Sequence, residues 1–274
     1  VKERLLRGAM RKTYYYTNEL TDDFAETKGV KQQKIIDGNY KYRHDNVLYK
    51  IGSFVLYRMF ATPIGWLHNK IGYGVRIKNR KAVKKVKGGF FLYGNHTQSA
   101  FDAFNASLVP FPHATKLIAN PDAVSIPVIG KITPMLGAMP LPSDLSAARN
   151  FLAEMKNTVN KGGVVAIYPE AHIWPYYNGV RNFVDASFAY PIKMKVPTVA
   201  MVTIYRKRKV FKNLPPRITV YVSDPIFPEE YTDKKALRDA VYNFMTETIA
   251  KHGSEGYHTY VKVDDEGATQ QPHA

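Results

Sequence analysis

The sequence predicts an α/β fold, a largely parallel sheet flanked by helices, preceded by an N-terminal amphipathic helical membrane-association segment. Three observations predict it. Short strand-like runs alternate with helical patterns along most of the chain. The runs Phe90-Phe91-Leu92-Tyr93 and Val164-Val165-Ala166-Ile167-Tyr168 lack the polar alternation of a half-exposed strand, as expected of strands covered on both faces. Over residues 45–72, Val47, Leu48, Ile51, Phe54, Val55 and Met59 recur at spacings of three and four, the period of an amphipathic helix.

Length and composition frame these elements. The 274 residues suit one large α/β domain, or one domain with a smaller appendage. The chain divides into an N-terminal extension and interfacial helical segment at 1–72, an α/β domain at 73–260 and a polar tail at 261–274. With 39 Lys and Arg against 23 Asp and Glu, the net charge is +16, which attracts anionic lipid, acidic carrier proteins, phosphorylated ligands or nucleic acid. The absence of cysteine excludes disulfides, thiolate catalysis and cysteine-ligated metals. No metal or cofactor is expected. Lys2, Arg4, Arg7, Arg11 and Lys12 are not followed by an apolar run, so no signal peptide is expected. The most apolar stretch, from Val47 to Leu67, is interrupted by Lys50 and Arg58; it suits lying on a bilayer better than crossing it.

The elements follow in order. Residues 1–44 read as a loosely packed extension or an interfacial arm. Pro63 should break or kink the helix over 45–72. Trp66 beside His68 and Lys70 fits the headgroup zone of a bilayer, and a helix packed on the core fits the pattern as well. A strand over Gly74–Lys78 leads into a basic turn with Arg80, Lys81, Lys84, Lys85 and Lys87. The strand Phe90–Tyr93 feeds into Gly94-Asn95-His96, and a helix is expected from about Asp102 to Val109. Thr115–Ala119 reads as a strand. Pro121, Pro127, Pro134, Pro140 and Pro142 exclude a long regular element over 121–142. Ser143 or Asp144 can cap a helix to Asn160 with Leu145, Ala148, Leu152, Met155 and Val159 as its apolar stripe. Beyond the strand ending at Tyr168 come a helix within 184–195, a strand Thr198–Ile204, a basic cluster with Arg206, Lys207, Arg208, Lys209 and Lys212, and a strand Arg217–Val222. A final helix opens at Thr232 or Asp233 with Leu237, Val241, Phe244, Met245 and Ile249 on one face.

In such sheets, functional groups gather at the carboxyl ends of the strands. Two strands here end in reactive residues, one at Asn95-His96 and one at Pro169-Glu170. A histidine can take a proton from a hydroxyl near neutral pH, and a carboxylate can fix its tautomer. His96 and Asp102 are such a pair by type, although their spacing alone is explained slightly better by a structural histidine and a plain N-cap.

Beyond these types, Asn95-His96 followed by Asp102 resembles the first motif of the lysophospholipid acyltransferase family, which includes the 1-acylglycerol-3-phosphate acyltransferases. Tyr168-Pro169-Glu170 resembles that family's aromatic-Pro-Glu-Gly-Thr motif, and Val196-Pro197-Thr198-Val199-Ala200 its last motif. The resemblance covers roughly residues 75–225. It implies transfer of an acyl chain from acyl-CoA or acyl-carrier protein to a lipid hydroxyl, most naturally on a lysophospholipid. It implies His96 as general base and Asp102 as its partner. Asn95, Glu170, His172 and Arg181 are the implied or candidate substrate-binding residues. Implied partners are a membrane surface, the acyl donor and a lysolipid acceptor, with no nucleic acid, and the implied location is peripheral or monotopic on the cytoplasmic face of a membrane. The alternatives are an acyltransferase-like lipid binder without catalysis and a basic nucleic-acid-binding protein.

Four departures stand out. Five residues separate His96 from Asp102 where the family has four. On a regular helix the extra residue turns the carboxylate by about 100°. The phosphate-gripping Arg of the second motif is missing from Gly137-Ala138-Met139-Pro140-Leu141-Pro142; either Lys131, Arg149 or Arg181 supplies the charge from elsewhere, or the acceptor lacks a phosphomonoester. Ala171-His172 replaces Gly-Thr, and Ala200 replaces the final Pro of the last motif.

Overall fold

The computed structural model describes residues 11–25, 34–210, 214–253 and 256–264. Seven strands form one sheet: β2 (Arg76–Lys78), β3 (Phe90–Gly94), β4 (Thr115–Ala119), β5 (Ala138–Pro140), β6 (Val164–Ile167), β7 (Thr198–Arg206) and β8 (Arg217–Val222). Their spatial order is β2-β8-β7-β3-β6-β4-β5. The five strands from β7 to β5 run parallel, whereas β8 is antiparallel to β7 and carries β2 parallel to itself at one edge. The expected α/β class, with a mostly parallel sheet between helices, is the fold adopted.

Alternation along the central strands builds two cores. Phe91, Tyr93, Val165, Ile167, Ala200 and Val202 point to one face, where they meet Phe151 and Met155 of α6 (Leu145–Asn160) and Leu237, Val241 and Met245 of α8 (Lys234–His252). Phe90, Leu92, Val164, Ala166, Val199 and Met201 point to the other, against Ala106 of α3 (Ser99–Leu108) and Val109. Each fully buried large side chain contributes roughly 1.5–3 kcal/mol, which explains why β3 and β6 carry no polar face.

Both long helices start on an aspartate. Asp144 accepts the Ala147 amide at 2.7 Å, and Asp233 accepts those of Lys235 and Ala236 at 2.8 Å. The expected apolar stripe of α6 holds at Met155 and Val159 but not at Leu145 and Leu152. Leu145 is 82% exposed and Leu152 40%, while Ala147, Phe151, Met155 and Val159 face the sheet. Phe151, placed one position before Leu152, fills the gap beside Tyr42 and Tyr190 that a leucine stripe would leave. The helix expected within 184–195 is shorter than its span: a 3-10 turn at Ala186–Phe188 leads into α7 (Ala189–Met194). Between β4 and β5 the chain forms only two single-turn helices, α4 (Asp122–Ser125) and α5 (Ile129–Ile132), as its prolines require.

The segment over 47–72 is helical without interruption, so of the break or kink expected at Pro63 the break does not occur. α1 (Val47–Phe54) continues through wider π-helical turns at Val55–Ala61, through α2 (Thr62–Leu67), and through a second π-helical stretch at His68–Gly72. Pro63 sits at the second position of α2, and the Thr62 amide and hydroxyl both reach back five residues to the Tyr57 carbonyl, so the helix passes the missing N–H. The segment is docked on α3. A Cβ at Gly65 would lie 2.6 Å from the Phe104 ring, so glycine permits the close approach, and Asn69 donates to Asn105 at 3.3 Å one turn later. Among the described residues, no helix is long and apolar enough to cross a membrane.

The described part of the N-terminal extension is not loosely attached. β1 (Thr13–Tyr16) pairs in parallel with β9 (Thr259–Lys262), so the boundary drawn between domain and tail at 260/261 falls inside a strand. Lys2, Arg4, Arg7, Lys212 and most of the polar tail lie outside the described residues.

Candidate active site

Register along the sheet brings the motif residues together. Tyr93 pairs with Ile167, so β3 and β6 end level with each other, and the residues leaving them are neighbours. β7 runs on past both, since Gly94 pairs with Met201 while β7 continues to Arg206. Asn95 uses that extension. Its side chain accepts from the Thr203 amide at 2.8 Å and donates to the Thr203 carbonyl at 3.1 Å. Buried to 1% exposure, Asn95 acts as an additional sheet rung that holds the backbone as it enters His96.

His96 and Asp102 meet. His96 Nδ1 lies 2.9 Å from Asp102 Oδ2, with the imidazole 18% exposed and the carboxylate 1%. The same oxygen accepts the amides of Thr97 and Gln98, each at 2.8 Å. Since those two groups can only donate to it, the imidazole N–H donates as well, which leaves Nε2 as the basic ring nitrogen. The extra spacer residue is absorbed before the helix begins. Gln98 is extended, α3 starts at Ser99 and not at Asp102 as expected, and the Asp102 side chain reaches back past the helix start. Asp102 is therefore not the N-cap; it supplies an acceptor to the otherwise unpaired amides ahead of the first turn.

Tyr168 forms the wall behind the histidine. Its ring stacks on His96 with centroids 4.7 Å apart and an interplanar angle of 16°, and its hydroxyl donates to the Asp102 carbonyl at 2.5 Å. Burial, and then the Asp102 charge, push the Tyr168 phenol well above its ordinary value, so it stays a donor. Glycine at 94 makes room for the ring: a Cβ there would lie 2.7 Å from Tyr168 Cε1. Thr97 is pinned from the far side by Tyr205, with 2.6 Å between their hydroxyls.

Glu170 lies directly behind the His96 backbone. Its Oε2 accepts the His96 amide at 3.1 Å and pairs with Arg181 Nη2 at 3.1 Å, while Oε1 accepts the Arg181 amide at 3.1 Å. Burial raises the Glu170 carboxyl, and Arg181 with the two amides opposes that. Arg181 is itself fully buried. Its guanidinium also donates to the His172 and Glu19 carbonyls and lies 5.1 Å above the Trp174 ring. His172 presents its backbone carbonyl to this network, and its ring is 3.8 Å from Asp23 at the surface. Of the other cations considered for an acceptor phosphate, Lys131 and Arg149 are exposed. Ala171 has φ of 63°, the left-handed region that favours glycine, at the place where the resemblance expects one.

Several contacts were not readable in advance. The loop after Glu170 binds the His96 turn edge-on, with the Trp174 amide on the His96 carbonyl at 3.2 Å and the Tyr176 amide on the Thr97 carbonyl at 3.1 Å. The N-terminal arm holds that loop in turn: Trp174 Nε1 donates to the Asp22 carbonyl at 2.8 Å, and Asp23 accepts the Ile173 amide at 3.0 Å. The aromatic richness of residues 14–16 was the available signal, since Tyr16 packs on Trp174 at 4.6 Å. Among the described residues, no group of three or more metal-ligating side chains converges.

The family described as Acyltransferase matches residues 74–204, which span β2 through most of β7 and contain every candidate residue named above. No curated protein matches the chain. Among solved structures, the fold is similar to that of the 1-acyl-sn-glycerophosphate acyltransferase of Thermotoga maritima, with a TM-score of 0.55 and 17% identity over 76% of this chain and 89% of that one. Residues 74–204 thus form a domain that matches the acyltransferase family, and the likeness to the Thermotoga maritima enzyme is one of fold.

Proposed function

We propose that the protein is an O-acyltransferase that moves a fatty acyl group from a thioester donor, acyl-CoA or acyl-carrier protein, to the hydroxyl of a lysophospholipid. The observation that carries this reading is the 2.9 Å contact between His96 and a buried Asp102 inside an acyltransferase-family domain. In this reaction His96 Nε2 takes the proton of the acceptor hydroxyl as its oxygen attacks the thioester carbonyl. The carbon–sulfur bond breaks, an ester forms, and the proton passes from the imidazolium to the departing thiolate. Asp102 holds the ring by Nδ1 and stabilises its charged form. Asn95, Tyr168 and the Glu170–Arg181 pair position the histidine; in this reading neither Glu170 nor Arg181 grips the acceptor phosphate, because both are spent on each other and on backbone.

The same reading places the protein on a membrane, at the cytoplasmic leaflet where such donors occur. Leu48, Phe54, Met59, Phe60, Trp66 and Ile71 are exposed along a helical segment with no acidic residue from 47 to 72. An exposed apolar face with tryptophan and lysine at its rim suits the headgroup zone.

The test is incubation with labelled acyl-CoA and a panel of lysophospholipids in vesicles, beside the His96→Ala chain. A labelled diacyl product from the parent chain and none from the variant is expected. Product formation by His96→Ala at an undiminished rate would refute the histidine mechanism, and no product with any acceptor would favour a lipid binder without catalysis.

A further inference from the structure

A cavity of about 650 Å³ opens between the helical segment over 47–72, the sheet edge at β2 and the end of α3. That volume lies in the range of small-molecule sites, roughly 300–1,000 Å³. Its wall is mostly apolar and carries three cationic side chains. Trp66, Leu108 and Phe111 supply the apolar part, and Arg58, Lys70 and Arg80 the charge. The two arginines converge on one turn: Arg80 donates to the Val109 and Phe111 carbonyls at 3.3 and 3.0 Å, and Arg58 donates to the Pro112 carbonyl and lies 5.3 Å over the Phe111 ring. Among the described residues, no carboxylate lies within ion-pair distance of Arg58, Lys70 or Arg80. Arg58, Lys70 and Arg80 line one cavity without a counter-charge, so an anion bound there is attracted by all three.

Asn69 lines the cavity and donates to Asn105, whose own Nδ2 is buried with no hydrogen-bond partner among the described residues. Asn105 lies one helical turn from Asp102. Ile64, Leu67 and Ile71, each next in sequence to a lining residue, are exposed apolar side chains, as suits a ligand drawn from a lipid surface.

We propose that this cavity binds a phosphate-bearing lipid, its phosphate on Arg58, Lys70 and Arg80 and its glycerol and chain against Trp66, Leu108 and Phe111. The site is separate from the place where the second family motif would carry its Arg, because that segment forms β5 at the opposite edge of the sheet from β2. The proposal stands on the cavity and does not depend on catalysis.

Trp66 reports on occupancy; the only other tryptophan, Trp174, is 1% exposed at the candidate active site. The full chain is titrated, with no acyl donor present, against short-chain lysophosphatidate, short-chain phosphatidate, monoacylglycerol and inorganic phosphate. The phosphate-bearing lipids should shift Trp66 emission at concentrations about tenfold or more below those of monoacylglycerol, as expected of a charge-assisted contact. Inorganic phosphate should bind more weakly than either. Lys70→Glu should remove the tenfold preference, while Lys87→Glu, an exposed charge reversal away from the cavity, should change it less than about twofold. Tighter binding of the monoacyl lipid would mark the ligand as the acceptor; equal binding of the diacyl lipid would mark a bilayer phospholipid. Equal affinity for monoacylglycerol and the phosphate lipids, or equal effects of the two reversals, overturns the proposal. Acyl transfer measured separately on the same chains fails or succeeds independently of this titration.

Discussion

Asp102 Oδ2 lies 2.9 Å from His96 Nδ1 while holding the amides of Thr97 and Gln98, so one carboxylate orients the ring and shapes the turn that presents it. Asp102→Asn keeps an oxygen for the amides but puts a neutral group against the imidazole. Acyl transfer should fall about 10²–10⁴-fold, the usual contribution of general-base catalysis. Stability should fall by about 1–2 kcal/mol, because the hydrogen bonds it keeps lose their charge. Steady-state rates and urea denaturation of the two chains separate these effects, and a rate within a few-fold of the parent would count against the pair.

Glu170 and Arg181 are both buried, and each is the other's only counter-charge among the described residues. Removing one partner strands the other. Glu170→Gln and Arg181→Met should each cost about 3–5 kcal/mol, and the double variant less than the sum of the two. Denaturation of the four chains completes the cycle; additive losses would mean that the pair is not coupled.

Tyr168→Phe tests the hydroxyl apart from the ring. It removes one hydrogen bond to the Asp102 carbonyl, worth about 1 kcal/mol, and retains the stack on His96. Tyr168→Ala removes the ring too, at about 3–5 kcal/mol. Only the second variant should markedly impair acyl transfer in the folded fraction.

Ala171 occupies a backbone conformation suited to glycine. Ala171→Gly should stabilise the protein by about 0.4–1 kcal/mol if relief of strain exceeds the entropy added to the unfolded chain. A thermal melt reads the sign directly, and a lowered midpoint would show that the strain relieved is smaller than the entropy added to the unfolded chain.

His258 ties the two terminal strands together, accepting the Lys12 amide on Nδ1 at 3.0 Å. Burial first, and then Lys12, lower its pKa from 6.5 to about 4. The folded arm therefore favours neutral imidazole. Its contribution to stability is full above pH 6.5 and is lost as pH falls from 6.5 to about 4, where the unpaired chain binds the proton and the folded chain does not. The β1–β9 amides should lose hydrogen-exchange protection over that window, after correction for intrinsic rates, and His258→Gln should flatten the dependence.

The sequence conveyed the central elements well because their burial is symmetric. β3, β4, β6 and β8 fall within a residue of their expected bounds, and the caps at Asp144 and Asp233 follow from side-chain chemistry next to a helix start. It was less informative where a choice depended on a neighbour. Phe151 replaces Leu152 in the core because of what lies opposite, and the helix over 47–72 passes Pro63 because wider turns and a docked partner absorb the missing amide.

At the site, the sequence by itself determined which groups are present: a histidine, two carboxylates and an arginine, in motif order. It did not decide whether a pair separated by five residues could touch. The tertiary structure decided that by extending Gln98 and starting α3 at Ser99, so that the carboxylate folds back over the turn. It also turned Arg181 inward, where Glu170, the His172 and Glu19 carbonyls and Trp174 receive it, and tied the Glu170 loop to an arm about 150 residues earlier in the chain. Side-chain chemistry is local and can be read from one residue. Hydrogen-bond partners and burial are set by segments distant in sequence, and only the folded chain specifies them.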